Sequence, residues 1–381
     1  MQLIVTVKRL NKRRVIPVQF PDRDNIIGEV KEGFTFEGTE VTAVPNPALG
    51  KWYKDRDGHF YWGGGLSIGF ASGEQTKNHY FDLLGITKIW NEMKPGNLGK
   101  NIKVAILDTG IDQNTAQLLN VREQQRFFCN EDESACLQED GAADSDENTH
   151  GTRCASVIGA RKLNNNHVGI APDCEMFIYR IKDDFFFNKS KLQIPTALQH
   201  ILDNQKDIDI ISMSFQFRQP VAGMSEVLKK CSDRGILLFA ASGNTSDLNE
   251  QFQINFPGFD DSCFEVGACD EQAEKIIPSS CYNEKLVFMA PGVDVPAFKE
   301  QQQLATENKT SIATAFTSGV AALLLSFART KEPNKIASAN KVIQALKSTG
   351  MNQDIVLPDG KTISVKIIQP LKAFINLKSS L

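Results

Sequence analysis

From residue 80 onward the apolar positions alternate between two spacings. KVAIL (103–107), MFIYRI (176–181), IISM (210–213) and ILLFA (236–240) are short, nearly continuous apolar runs of the kind that form strands buried on both faces. Between and around them FDLLGITKIWNEM (81–93), CASVIGARK (154–162), TALQHILDNQ (196–205) and SEVLKKCSDR (225–234) predict helices. Strands alternating with helices predict an α/β fold, a parallel sheet with helices on both faces. The run VAALLLSF (320–327) is apolar on every side and predicts a helix in the middle of the domain. The tail, 351–381, reads as a hairpin turning at Pro358-Asp359-Gly360, followed by a short helix.

The first seventy residues have a different rhythm. LIVTV (3–7), RVIPVQF (14–20), FTFEGTEVTAV (34–44), KWY (51–53) and HFYW (59–62) are short β-rich runs separated by turn signals, and none holds helical spacing. The stretch 50–65 predicts a hairpin turning near Asp57-Gly58 and closed by Trp52, Phe60 and Trp62. It resembles the terminal strands of SH3-like modules. The expected organisation is a small all-β, SH3-like barrel domain over 1–70, a polar linker over 71–79, and a catalytic domain over 80–381. The alternative for 1–70, an inhibitory prodomain, would generally need two helices that the pattern does not supply.

Composition narrows the class. A chain of 381 residues accommodates two domains, and a net charge of −4 with no long basic run suggests neither nucleic acid nor an anionic membrane as partner. The N-terminal apolar run is too short for a signal-peptide core, so a cytoplasmic location is the expectation. Eight cysteines lie at Cys129, Cys136, Cys154, Cys174, Cys231, Cys263, Cys269 and Cys281, with no CxxC pair and no zinc spacing. They read as reduced, buried thiols, and Cys129 with Cys136 is the pair to suspect if any disulfide forms.

Candidate chemistry sits at the ends of the predicted strands, where open parallel sheets gather their ligands. KVAIL runs into Asp108, ILLFA into Gly243-Asn244 and IISM into Ser214; His150 enters the helix containing CASVIG, and Ser311 stands where the buried helix begins. A carboxylate, an imidazole, an amide and a hydroxyl form the set used in nucleophilic acyl transfer. Taken singly, Asp108 and Asn244 would be turn residues, His150 a structural histidine and Ser311 a helix cap. Their joint occurrence in this order favours a site, and Ser311 serves both readings, a nucleophile at a helix terminus.

VAILDTGID (104–112), HGTRCAS (150–156), SMSF (212–215), AASGN (240–244) and KTSIATAFTSGVAALLL (309–325), in that order, resemble the subtilisin-like serine proteases, the subtilases. The likeness covers residues 80 to about 378, and the order Asp, His, Ser is the one that family uses. It implies a serine endopeptidase acting on a protein or peptide substrate. In it Asp108, His150 and Ser311 are the triad, Asn244 and the Ser311 backbone N–H form the oxyanion hole, and Ser214, Phe215, Gln216 and Gly243 contact substrate. No cofactor is implied for the chemistry; a structural Ca²⁺ is, and the N-terminal domain would take a peptide or protein ligand. The stretch 129–147, with eight carboxylates, offers oxygen ligands for calcium or an acidic rim.

Several residues depart from the family pattern: Lys309 stands for Gly, Ile312 for Met, Ala315 for Pro, and Gln216-Phe217 for two small residues. A Lys at a position needing positive φ would be strained. Two readings follow from these departures, an enzyme held inactive until that loop is rearranged and an inactive binding module of subtilase fold; a third, independent of them, is a zymogen whose residues 1–70 are an inhibitory prodomain.

Overall fold

A computed structural model describes residues 2–5, 9–17, 24–31, 34–42, 45, 51–63, 66–69, 79–129, 136–140, 149–163, 168–181, 191–204, 207–245 and 250–381. Its main element is a ten-stranded sheet in the order Cys136–Asp140, Val121–Cys129, Glu175–Arg180, Lys103–Asp108, Ile210–Met213, Leu237–Ala241, Phe264–Cys269, Leu286–Pro291, Thr362–Ile367, Met351–Val356. The eight inner strands pair in parallel, and an antiparallel hairpin strand closes each edge. Parallel strands need crossover connections, and the helices that supply them cover both faces. Strand Lys103–Asp108 has the later strand Glu175–Arg180 on one side and the still later Ile210–Met213 on the other, so the winding reverses there. That switch point is where a crevice opens beyond the carboxyl ends of the strands.

Each face of the sheet has its own core. Helices Gln193–Asn204 and Met224–Asp233 bury Leu198, Ile201 and Leu228 on one. On the other lies Thr310–Lys331, whose Leu323, Leu324 and Leu325 are all fully buried, beside His150–Gly159. The long helix is apolar enough to cross a membrane, but nearly all of it lies inside the protein. All-round apolarity here marks a core helix.

Three differences from the predicted elements stand out. The stretch 81–93 is not one helix: His79–Leu83 and Ile86–Met93 are separated by Gly85 at φ 71°, where a side chain would collide with Leu371. RVIPVQF is not a strand: the strand is Arg9–Arg13, residues 14–17 leave it and 18–20 lie outside the described residues. Helix Lys335–Thr349 has no counterpart among the predicted elements. Asn334 caps it, its Oδ1 accepting from the Ala337 N–H at 2.9 Å. The tail agrees with expectation, a hairpin followed by helix Pro370–Ser380.

The first 69 residues contribute antiparallel strands, as expected, in the order Leu66–Gly69, Gln2–Val5, Thr35–Glu40, Trp52–Asp55, Phe60–Trp62, Arg9–Arg13, Ile26–Lys31. The hairpin closes with Trp52 opposite Trp62. Leu3, Val5, Leu10, Tyr53 and Tyr61 form a small core of their own. Gly69 pairs with Ala305, so the sheet runs on into the hairpin Val295–Phe298 and Leu304–Glu307. The expected linker begins after that strand, and its residues 71–78 lie outside the described residues.

Candidate active site

Strand Lys103–Asp108 delivers Asp108 to the crevice, and helix His150–Gly159 begins at His150. The two side chains meet: His150 Nδ1 is 2.7 Å from Asp108 Oδ1, with both residues buried. A carboxylate only accepts, so Nδ1 carries the proton and Nε2 is left as the basic nitrogen. The same Oδ1 accepts from the Thr109 N–H at 2.8 Å, and the Thr109 hydroxyl accepts from the Gly151 N–H at 2.9 Å. Strand end and helix start are thereby fastened together.

Ser311 lies in the first turn of Thr310–Lys331 and is 5% exposed. It is not the cap: that position belongs to Lys309, and the Ser311 hydroxyl donates to the Ser214 carbonyl at 3.2 Å. Ser214 Oγ in turn donates to the Ser311 carbonyl at 2.9 Å. Lys309 has φ −152°, extended backbone open to any residue, so the strain expected there is absent. Ile312 and Ala315 are simply buried in the helix core.

Cys154, one helical turn beyond His150, ties the two halves of the site. Its Sγ is 3.8 Å from His150 Nδ1 and 4.0 Å from the Ser311 carbonyl oxygen. It is absent from the candidate residues above, although the i, i+4 spacing from His150 puts both on one helix face. Arg153 is absent from them too. Its guanidinium forms a buried 2.9 Å ion pair with Glu307, the last residue of the strand before the Ser311 turn.

Asn244 follows strand Leu237–Ala241, and its Oδ1 accepts from the Thr310 N–H at 3.0 Å. That bond directs the amide and leaves Nδ2 as its donor. Beside it Gly243, at φ 103°, has no room for a side chain: an added Cβ would lie 2.6 Å from Asn255 Nδ2 and 3.3 Å from Gln216. Phe215 and Phe217 instead turn into the core, so Phe215 can offer a substrate only its backbone. Phe217 pairs through its backbone with Phe256.

Two groups among the described residues bring metal-ligating atoms together: Asp108, His150 and Cys154, and Asp55, Asp57 and His59. The first is the site just described. In the second, burial alone would raise the Asp55 carboxyl, but bonds from the His59 N–H and the Tyr61 hydroxyl hold it below the usual range. Of the acidic stretch 129–147 expected to attract calcium, 130–135 and 141–147 lie outside the described residues. Cys129 and Cys136 face each other across paired strands and form a disulfide, a correction to the reading of all eight cysteines as thiols; the other six are buried thiols.

Residues 99–357 match the Subtilase family. Among curated proteins the chain is 28% identical over 272 residues to an intracellular serine protease of Paenibacillus polymyxa, covering 70% of this chain and 78% of that one. It is 28% identical over 255 residues to the major intracellular serine protease of Bacillus subtilis (strain 168), covering 67% and 77%. Among solved structures, the prenylagaramide maturation protease PagA superposes with a TM-score of 0.58 at 26% identity, covering 77% of this chain and 98% of that one.

Proposed function

The chain belongs to the subtilase family of serine peptidases, and on that premise we propose that it is an endopeptidase working through Asp108, His150 and Ser311. The Ser311 hydroxyl, turned from Ser214 toward His150 by rotation about its Cα–Cβ bond, attacks the scissile carbonyl while His150 Nε2 takes its proton. Asp108 holds the imidazole through Nδ1 and stabilises its charged form. The oxyanion is received by Asn244 Nδ2 and the Ser311 N–H. His150 then protonates the leaving amine, and water attacks the acyl-enzyme by the same route in reverse.

The observation that carries this reading is the 2.7 Å contact between His150 and Asp108, with Ser311 joined to the same cluster through Cys154. An extended substrate would lie along residues 214–216 and pair by backbone hydrogen bonds. Its side chain next to Gly243 would meet Gln216 and Asn255, which favours small residues there. The unstrained Lys309 backbone supports an active enzyme over an inactive binding module. Two relatives are named intracellular serine proteases, and on that likeness we place this chain inside the cell. A peptide-hydrolysis assay tests the reading: His150→Ala and Asp108→Asn lower kcat by at least about 10³-fold. Unchanged kcat in either variant would refute it.

A further inference from the structure

We propose that the cleft between the N-terminal strands and the main domain is a binding site for a lysine side chain of a partner peptide, separate from the catalytic centre. The cleft holds about 720 Å³, within the range of ligand sites, and lies at a junction between two parts of the chain, where such sites concentrate. Tyr53, Trp62 and Val41 wall it on one side, Ile276, Pro278 and Val293 on the other. An aliphatic stem fits such walls, and an aromatic face attracts the cation at its end.

Charge selects that cation. Among the described lining residues, Glu40, Asp270, Glu271 and Asp294 face only Lys51 and Lys275. Lys51 already places its ammonium among them, bonded to Glu271 and 3.7 Å from Glu40. The chain thus shows how a lysine is received there, and negative charge is left over. The Asp294 carboxyl is pushed up to about 7 by burial and by neighbouring Glu271, a penalty that a further cation would relieve.

Ser311 is not among the described lining residues of the cleft. Asn308, three residues earlier, accepts from the Asp294 N–H and donates to the Gly63 carbonyl at 3.3 Å. The assignment stands whether or not the chain cleaves peptides, so its test uses full-length Ser311→Ala protein. The probes are acetyl-Ala-Lys-Ala-amide and its norleucine counterpart, with binding followed by calorimetry. The lysine peptide should bind at least about tenfold tighter than the norleucine peptide and lose at least about tenfold in Glu271→Gln, as for loss of a paired charge. Lys51→Met, which removes the resident ammonium, should strengthen binding at least about threefold, a gain that a misfolded chain could not give. Equal affinity for the two peptides, or failure of either variant to shift it in the stated direction, would overturn the proposal.

Discussion

Asn244 commits its carbonyl to the Thr310 N–H, a bond that orients its amide nitrogen. Asn244→Ala should lower kcat by about 10²–10³ with little change in KM; the magnitude is the one established for the corresponding donor in subtilisin, a member of this family. Gln216→Gly should enlarge the space beside Gly243 and raise kcat/KM for substrates with a large residue before the cleaved bond, measured on a matched peptide series. Glu265 makes a stability prediction. It is fully buried, and burial pushes its carboxyl up to about 8, opposed by the Asn283 hydrogen bond. The folded state therefore keeps a proton that the unfolded state releases, and stability declines as pH rises from about 4.5 to about 8. Glu265→Gln should flatten that decline, by an amount on the order of a few kcal/mol, in urea unfolding at about pH 5 and about pH 8.5. Equal slopes in the two proteins would contradict it.

The helix Thr310–Lys331 carries Ser311 in its first turn, so its packing is where stability and activity join. Leu324→Ala should cost about 2–5 kcal/mol, read from denaturant midpoints. Much of this level is legible in the sequence: continuous apolar runs mark the inner strands, and their polar ends mark Asp108, Asn244 and Ser214. Helix Lys335–Thr349 carries a weaker signal, Asn334 as cap with Ala339, Val342, Ile343 and Leu346 at helical spacing, diluted by the polar residues between them. Other features are out of reach of a linear reading because they depend on distant partners. Leu371 is what leaves no room for a side chain at Gly85, and the pairing of Arg153 with Glu307 joins residues far apart along the chain.

At the scale of the whole molecule, the N-terminal strands are sewn to the rest by the Gly69–Ala305 pairing, the Lys51–Glu271 ion pair and the Asn308–Gly63 bond. A removable inhibitor would leave a more active enzyme behind. Deleting residues 1–78 should instead lower the melting temperature and leave peptidase activity no higher than in the full chain. Activation on truncation would favour the zymogen reading. The central claim is that residues 108, 150 and 311 fold into one nucleophilic centre, and a fluorophosphonate probe with mass-spectrometric mapping tests it directly. The account predicts a single adduct on Ser311, absent in His150→Ala; no adduct, or one on another residue, would contradict it.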